Sequence, residues 1–182
     1  MSEHLIREEV NAKIKEAMRR QKHTLVSTLH EKISSKLDLP SIEELLSCSR
    51  EDPLEWDPVF RRVPGQSHRS FQEQNKAFKL IKRKLHLQLQ GKAPKHGCLV
   101  GPPGSGKSLL SHVTALYAVS IGLRVGSTAF PAEQAMLIGG LHLHKMFCLN
   151  VNQSKHSHPL IDPDNCMNSL SKKLWLHYFC IT

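Results

Sequence analysis

Three closely spaced glycines constrain this chain more than any other feature of its sequence. Residues 101–108 read Gly-Pro-Pro-Gly-Ser-Gly-Lys-Ser, and the glycines allow left-handed backbone angles and a close approach to a ligand. The stretch fits the pattern G-x-x-x-x-G-K-[S/T] without a mismatch. In that pattern the backbone N–H groups wrap phosphates, the lysine pairs with the outer phosphates and the hydroxyl binds Mg²⁺. The stretch therefore predicts a nucleotide-binding loop.

Lys107 and Ser108 are the predicted catalytic residues of this loop. Lys107 supplies the cation for the outer phosphates, and Ser108 supplies the hydroxyl for the Mg²⁺ ion that accompanies ATP. A helix that begins here directs its positive N-terminal end at the anion. The predicted ATP contacts of the loop are Gly101, Pro102, Pro103, Gly104, Ser105, Gly106, Lys107 and Ser108.

The segments around the loop predict a strand, a helix and a second strand. Residues 97–100 form a short apolar run, apolar residues recur at helical spacing from Leu109 to Gly122, and 123–128 read as a strand. Strands joined by a crossover helix of this length are parallel. We therefore expect an α/β fold with an incomplete P-loop NTPase-type parallel sheet and an N-terminal helical extension.

Composition limits the compartment and the class of partner. The chain of 182 residues carries 25 Lys and Arg against 16 Asp and Glu, a net charge of +9 that favours an anionic partner such as nucleic acid. Its five cysteines are odd in number and lack C-x-x-C spacing, which is typical of a reducing compartment. No targeting or membrane-spanning pattern is evident. We expect an intracellular soluble protein of cytosol, nucleus or mitochondrion, with no membrane partner.

Three regions follow along the chain. Residues 1–50 are a predicted helical extension, 51–70 a proline-containing linker, and 71–182 a partial P-loop NTPase domain. An amphipathic pattern over 5–37, with a possible break at 21–24, predicts a helix that binds a protein partner or packs on its own domain. Ser41 and Glu44 form a capping-box pattern that opens a short helix over 42–48. A further helix is predicted over 71–89, where a basic run indicates a solvated face or a phosphate-contacting one.

The stretch 122–147 resembles the PIF/RecD-like DNA helicases of superfamily 1B. The matching elements are Thr128-Ala129, Ala132 with Ala135, Gly139-Gly140, Leu143-His144 and Phe147, while Phe130-Pro131 and Leu141-His142 depart from the family pattern. The resemblance implies an ATP-dependent helicase motor with single-stranded DNA as partner. It implies nucleic-acid contacts for Thr128 and His144.

A second resemblance lies upstream of the loop. Residues 71–78, Phe-Gln-Glu-Gln-Asn-Lys-Ala-Phe, are similar to the segment of that family that reads adenine. By this resemblance Gln74 presents its amide to the base, because an amide offers a donor and an acceptor side by side. Gln72 is the alternative.

The carboxylate pair that hydrolysis needs is not evident in the sequence after Lys107. Such a pair ends an apolar strand and supports Mg²⁺ and the attacking water, whereas Asp162 and Asp164 lie among prolines and read as loop residues. The chain is thus predicted to bind ATP without hydrolysing it or unwinding DNA alone. The alternatives are a fragment of an AAA-type ATPase and a non-enzymatic, nucleotide-dependent interaction module.

Overall fold

The chain folds into five helices and three short strands in the residues that the structure, a computed structural model, describes: 3–92, 97–143 and 178–181. These elements divide into two compact units. The helical unit is Leu29–Leu123, and the sheet unit combines Met1–Thr28 with Arg124–Thr182. In chain order the elements are α1 (Glu3–Ile33), α2 (Ile42–Ser47), α3 (His68–Leu89), α4 (Lys107–Ser120), β1 (Arg124–Ala129), α5 (Ala132–Leu137), β2 (Leu141–His142) and β3 (Tyr178–Ile181).

Two helices of the helical unit begin at serine caps. At α2 the Ser41 hydroxyl accepts from the Glu44 N–H at 3.2 Å, and the Glu44 carboxylate accepts from the Ser41 N–H at 2.7 Å. The predicted capping box is therefore confirmed, and these hydrogen bonds from Ser41 lower the pKa of Glu44. At α3 the Ser67 hydroxyl accepts from the Ser70 N–H at 3.1 Å. Both serines use backbone donors that a helix start leaves unpaired.

The core of the helical unit forms where α3 packs on α4. Eight consecutive residues of α4, from Val113 to Ser120, are buried, and α3 contributes Phe78 and Leu85. The Phe78 ring makes edge-to-face contacts with Phe60 at 5.2 Å and with Tyr117 at 5.7 Å between centroids. Such pairs add to the free energy gained from burial alone.

The segment predicted as a linker, 51–70, lies within the helical unit. Between Leu54 and Phe60 its side chains alternate in burial, so that Pro58 and Phe60 are buried while Asp57 and Val59 are exposed. The Leu54 N–H donates to the Ser120 carbonyl at 2.9 Å. Prolines make the segment irregular, yet it packs on the core as an extended chain.

The sheet unit is built around β1, which is buried over Val125–Thr128. The strand order is β2-β1-β3, and both pairings are parallel. Thr128 lies opposite Leu141 in β2, and Arg124 lies opposite Tyr178 in β3. The coarse prediction of an α/β fold with parallel strands is confirmed.

The prediction of a strand before the glycine loop is wrong. Residues 97–100 form no strand, and Leu99 and Val100 are 38% and 84% exposed. A strand needs a neighbour to pair its backbone groups, and the strand pairings of the described residues do not include 97–100. A run of four residues that begins with glycine offers little side-chain burial to stabilise such a pairing.

The predicted break in the N-terminal helix is also wrong, because α1 continues through 21–24. That stretch contains neither glycine nor proline, and the Thr24 hydroxyl donates to the Arg20 carbonyl at 3.0 Å within the helix. Among the described side chains of α1, burial begins only at Leu25. In the described ranges, no helix combines the length and the hydropathy of a membrane span.

Candidate nucleotide-binding site

The glycine loop bends sharply just before α4 begins. Gly104 and Gly106 have φ angles of +76° and +84°, which side chains other than glycine rarely adopt. Gly106 is the N-cap residue of α4, and its carbonyl accepts from the Leu110 N–H at 3.0 Å. The Ser105 N–H donates to the Pro102 carbonyl at 3.3 Å, which closes the turn.

Lys107 folds back over the loop. Its Nζ donates to the Gly101 carbonyl at 2.7 Å and to the Pro102 carbonyl at 2.8 Å. Pro102, Pro103 and Gly104 are exposed, and Lys107 is half-buried. The ammonium is thus held within the loop and close to the exposed backbone that the motif assigns to phosphate.

The N-terminus of α4 has no side-chain cap, unlike those of α2 and α3. No acidic residue lies in its first turn, and the Ser108 side chain is exposed. The first backbone N–H groups of a helix have no partner within the helix and carry a partial positive charge. The start of α4 therefore offers unneutralised donors, an ammonium and a hydroxyl within one short stretch.

Gln74 lies directly against this loop although it comes from α3. It is 7% exposed, and a Cβ atom placed on Gly106 would lie 2.8 Å from its Nε2 atom. The predicted adenine-reading residue and the predicted phosphate loop are therefore brought together. Gln72, the alternative, is exposed and contacts His68 at 2.8 Å on the same helix.

Gln66 holds the Gln74 amide from the other side. The Gln66 Nε2 donates to the Gln74 Oε1 at 3.2 Å, while the Gln66 Oε1 accepts from the Val63 N–H at 3.3 Å. This relay turns the Gln74 nitrogen towards Gly106. Sequence reasoning missed Gln66, because it lies in a proline-containing segment and follows no motif.

Thr128 lies inside β1 and away from solvent. It is fully buried, and its hydroxyl has no hydrogen-bond partner among the residues that the structure describes. The predicted nucleic-acid contact of Thr128 is therefore not available in this arrangement of the chain. The other predicted contact, His144, lies outside the described residues.

The Gly139-Gly140 step ends α5. Gly139 has a φ of +62°, its N–H donates to the Met136 carbonyl at 3.1 Å, and the Gly140 N–H donates to the Ala135 carbonyl at 2.9 Å. These two bonds form a Schellman motif. A side chain on Gly140 would collide with the Ser127 carbonyl. Gly139 is therefore required by the left-handed turn, and Gly140 by its close approach to the backbone of β1.

A pocket of about 620 Å³ lies elsewhere in the helical unit. Trp56, His86 and Tyr117 line it, and it shares no residue with the loop. Tyr117 is ten residues beyond Lys107 on α4, which corresponds to about 15 Å along the helix. The pocket is thus distinct from the nucleotide site.

Across 3–92, 97–143 and 178–181 no three His, Cys, Asp or Glu side chains are grouped to hold a metal ion.

Comparison with known proteins adds nothing to these observations. No protein-family model, no curated protein and no solved structure matches this chain. The candidate site is therefore defined by its own geometry.

Proposed function

We propose that this chain binds ATP with Mg²⁺ through residues 101–108. The backbone N–H groups of the loop and of the first turn of α4 hold the phosphates. Lys107 exchanges its two carbonyl partners for phosphate oxygens, and the exposed Ser108 hydroxyl joins the Mg²⁺ shell. Loop and helix start together supply the charge that a triphosphate requires.

One observation carries this proposal: α4 alone among the helices that begin within the helical unit has no side-chain cap. Ser41 and Ser67 cap α2 and α3, whereas α4 starts at Gly106 with left-handed angles. A cap typically contributes about 1 kcal/mol to stability. A chain that omits the cap beside a lysine and a serine gains a place for an anion.

The proposal extends to the class of motor that the sequence resembles. We assign to the chain a P-loop NTPase-type fold and the front part of the first motor domain of a PIF/RecD-like DNA helicase, with single-stranded DNA as partner. The contact of Gln74 with Gly106 and the turn at Gly139-Gly140 support this assignment. Since no apolar run ending in Asp-Glu follows Lys107 within these 182 residues, the activity proposed for this chain is binding without turnover.

Calorimetric titration of the purified chain with Mg-ATP tests the binding. Lys107→Ala removes charge-assisted bonds worth about 1.5–3 kcal/mol, so we expect the affinity to fall roughly 10- to 150-fold. Lys36→Ala is the matched control, because Lys36 is an exposed lysine of the same unit. Equal affinities of the two variants would contradict the proposal.

Phosphate release tests the absence of turnover. We expect no steady-state release from Mg-ATP above that of the Lys107→Ala variant. A release that the wild type shows and Lys107→Ala abolishes would overturn this part of the proposal while leaving the binding intact.

A further inference from the structure

Helix α3 carries a large share of the positive charge of the chain. Its sequence contains six Lys and Arg residues and one Glu, a net charge of +5, and the whole chain carries +9. One face of this helix is buried through Gln74, Phe78 and Leu85. The charge is therefore concentrated on the opposite side.

Three of these cations form a single row, which we call the basic stripe: Lys76, Lys79 and Arg83. All three side chains are exposed. Their spacing of three and four residues places them on one face. At a rise of 1.5 Å per residue, the stripe covers about 10 Å of the helix axis.

Two neighbouring cations of α3 have acidic partners, whereas the stripe has none among the residues that the structure describes. Lys82 pairs with Asp57 at 2.8 Å, and Arg69 pairs with Glu73 at 3.1 Å. The ion pairs within the described part of the chain include none made by Lys76, Lys79 or Arg83. The two nearby carboxylates are thus occupied, and the stripe keeps its full charge.

From this arrangement we propose that the basic stripe binds the phosphate backbone of single-stranded nucleic acid. The row of cations is about 10 Å long and can follow the phosphates of one strand. Leu80 lies beside the row and is 57% exposed, so it offers an apolar surface to an unstacked base. Proteins that bind single strands combine a basic surface along the backbone with side chains on which bases stack, most often aromatic ones, and the aliphatic Leu80 takes that position here.

The same helix connects the stripe to the nucleotide site. Gln74 contacts the loop at Gly106 from the buried face of α3, only two residues before Lys76. The inference rests on the nucleic-acid partner of the proposed function. It does not depend on ATP binding by the loop.

Fluorescence anisotropy with a labelled oligo(dT) at several salt concentrations tests the stripe. The variant K76Q/K79Q/R83Q removes three charges and keeps good helix formers. Three single-strand contacts correspond to a salt slope of about 2, so we expect the slope to fall by that amount. The affinity at about 0.1 M salt should fall on the order of 100-fold.

The matched control is K15Q/R19Q/R20Q, which removes the same charge from exposed positions of α1. We expect its affinity to stay within about threefold of the wild type, because α1 lies outside the stripe. Equal losses in both variants would overturn the proposal, since net charge alone would explain them. So would an unchanged salt slope in K76Q/K79Q/R83Q, or stripe-dependent binding to phosphatidylserine vesicles without binding to oligo(dT).

Lys107→Ala separates this inference from the proposed function. Retained oligo(dT) binding together with lost ATP binding supports both. Stripe-dependent oligo(dT) binding by a wild-type chain that does not bind Mg-ATP supports the stripe and contradicts the nucleotide site. Mg-ATP binding without any oligo(dT) binding supports the nucleotide site and contradicts the stripe.

Discussion

Two regions with predicted functional residues differ in how the fold uses those residues. In the helical unit, α3 and the glycine loop bring Gln74, Gly106 and Lys107 together. In the sheet unit, Thr128 is buried within β1, while the neighbouring Phe130 is 68% exposed. In the first region the polar groups of the loop are accessible to a ligand. In the second region the polar residue is buried, and an apolar side chain at the edge of the small core is exposed.

The difference shows which sequence signals carry positional information. A glycine pattern permits particular backbone angles, so the bend of the loop is specified locally and does not depend on contacts with distant residues. A threonine in a strand carries no such instruction, because its exposure depends on what covers each face of the sheet. The local sequence therefore specifies the position of Lys107, whereas it does not specify the exposure of Thr128.

The largest expected contrast is between two phenylalanines. Phe78→Ala should lower the free energy of unfolding by about 3–5 kcal/mol, because the ring is 5% exposed and contacts two other rings. Phe130→Ala should change it by less than about 0.5 kcal/mol. Urea unfolding followed by circular dichroism measures both. Similar losses of unfolding free energy in the two variants would show that Phe130 is packed in a core rather than exposed.

The loop glycines provide the next contrast. Gly104→Ala should cost about 1–2 kcal/mol of stability for a left-handed alanine, since nothing lies near its Cβ position. Gly106→Ala should cost about 1 kcal/mol more, because its Cβ would lie 2.8 Å from the Gln74 Nε2. The thermal midpoints of both variants measure this difference.

Adding Gln74→Ala to each glycine variant checks the cause. The second substitution should recover the extra loss in Gly106→Ala and nothing in Gly104→Ala. Additive losses in both double variants would mean that Gln74 does not restrict the loop.

Two buried threonines should respond alike in the two regions. Thr114 in α4 and Thr128 in β1 both have hydroxyls without a partner. Replacing either by valine removes an unsatisfied polar group and should stabilise the chain by about 1 kcal/mol. Thr128→Val should leave oligo(dT) affinity unchanged. A loss of that affinity would restore the predicted contact of Thr128 with nucleic acid.

The smallest expected effect is a pH dependence confined to the helical unit. Burial, with the charges of Lys32 and Lys36 as lesser causes, lowers the pKa of His112 below its usual value. The folded chain therefore binds this proton less readily than the unfolded chain. His112 contributes stability above about pH 6.5, and this contribution is lost as the pH falls through its lowered pKa. His112→Gln should flatten the dependence of the unfolding free energy on pH between about pH 7 and 5, and urea unfolding at several pH values measures this change.

The sequence predicts most local elements here because their signals are local. Ser41 with Glu44 marks the start of α2, and the pattern after Lys107 marks α4. The strand predicted over 97–100 does not form, because a strand requires a pairing partner elsewhere in the chain and a short apolar run does not specify one. Gln66 was missed for a similar reason, since only its contact with Gln74 gives it a role. Pairings across the fold are the information that a single sequence does not contain.

The loop is attached unequally at its two ends. On one side, residues 97–100 are irregular and exposed, and on the other side α4 is buried over eight consecutive residues. The buried helix therefore fixes the position of the first-turn N–H groups, whereas few contacts restrain the segment that precedes the loop. We expect Mg-ATP to slow amide exchange in 101–108 and in the first turn of α4, where the proposed phosphate contacts lie, and to leave exchange at the buried end of α4 unchanged.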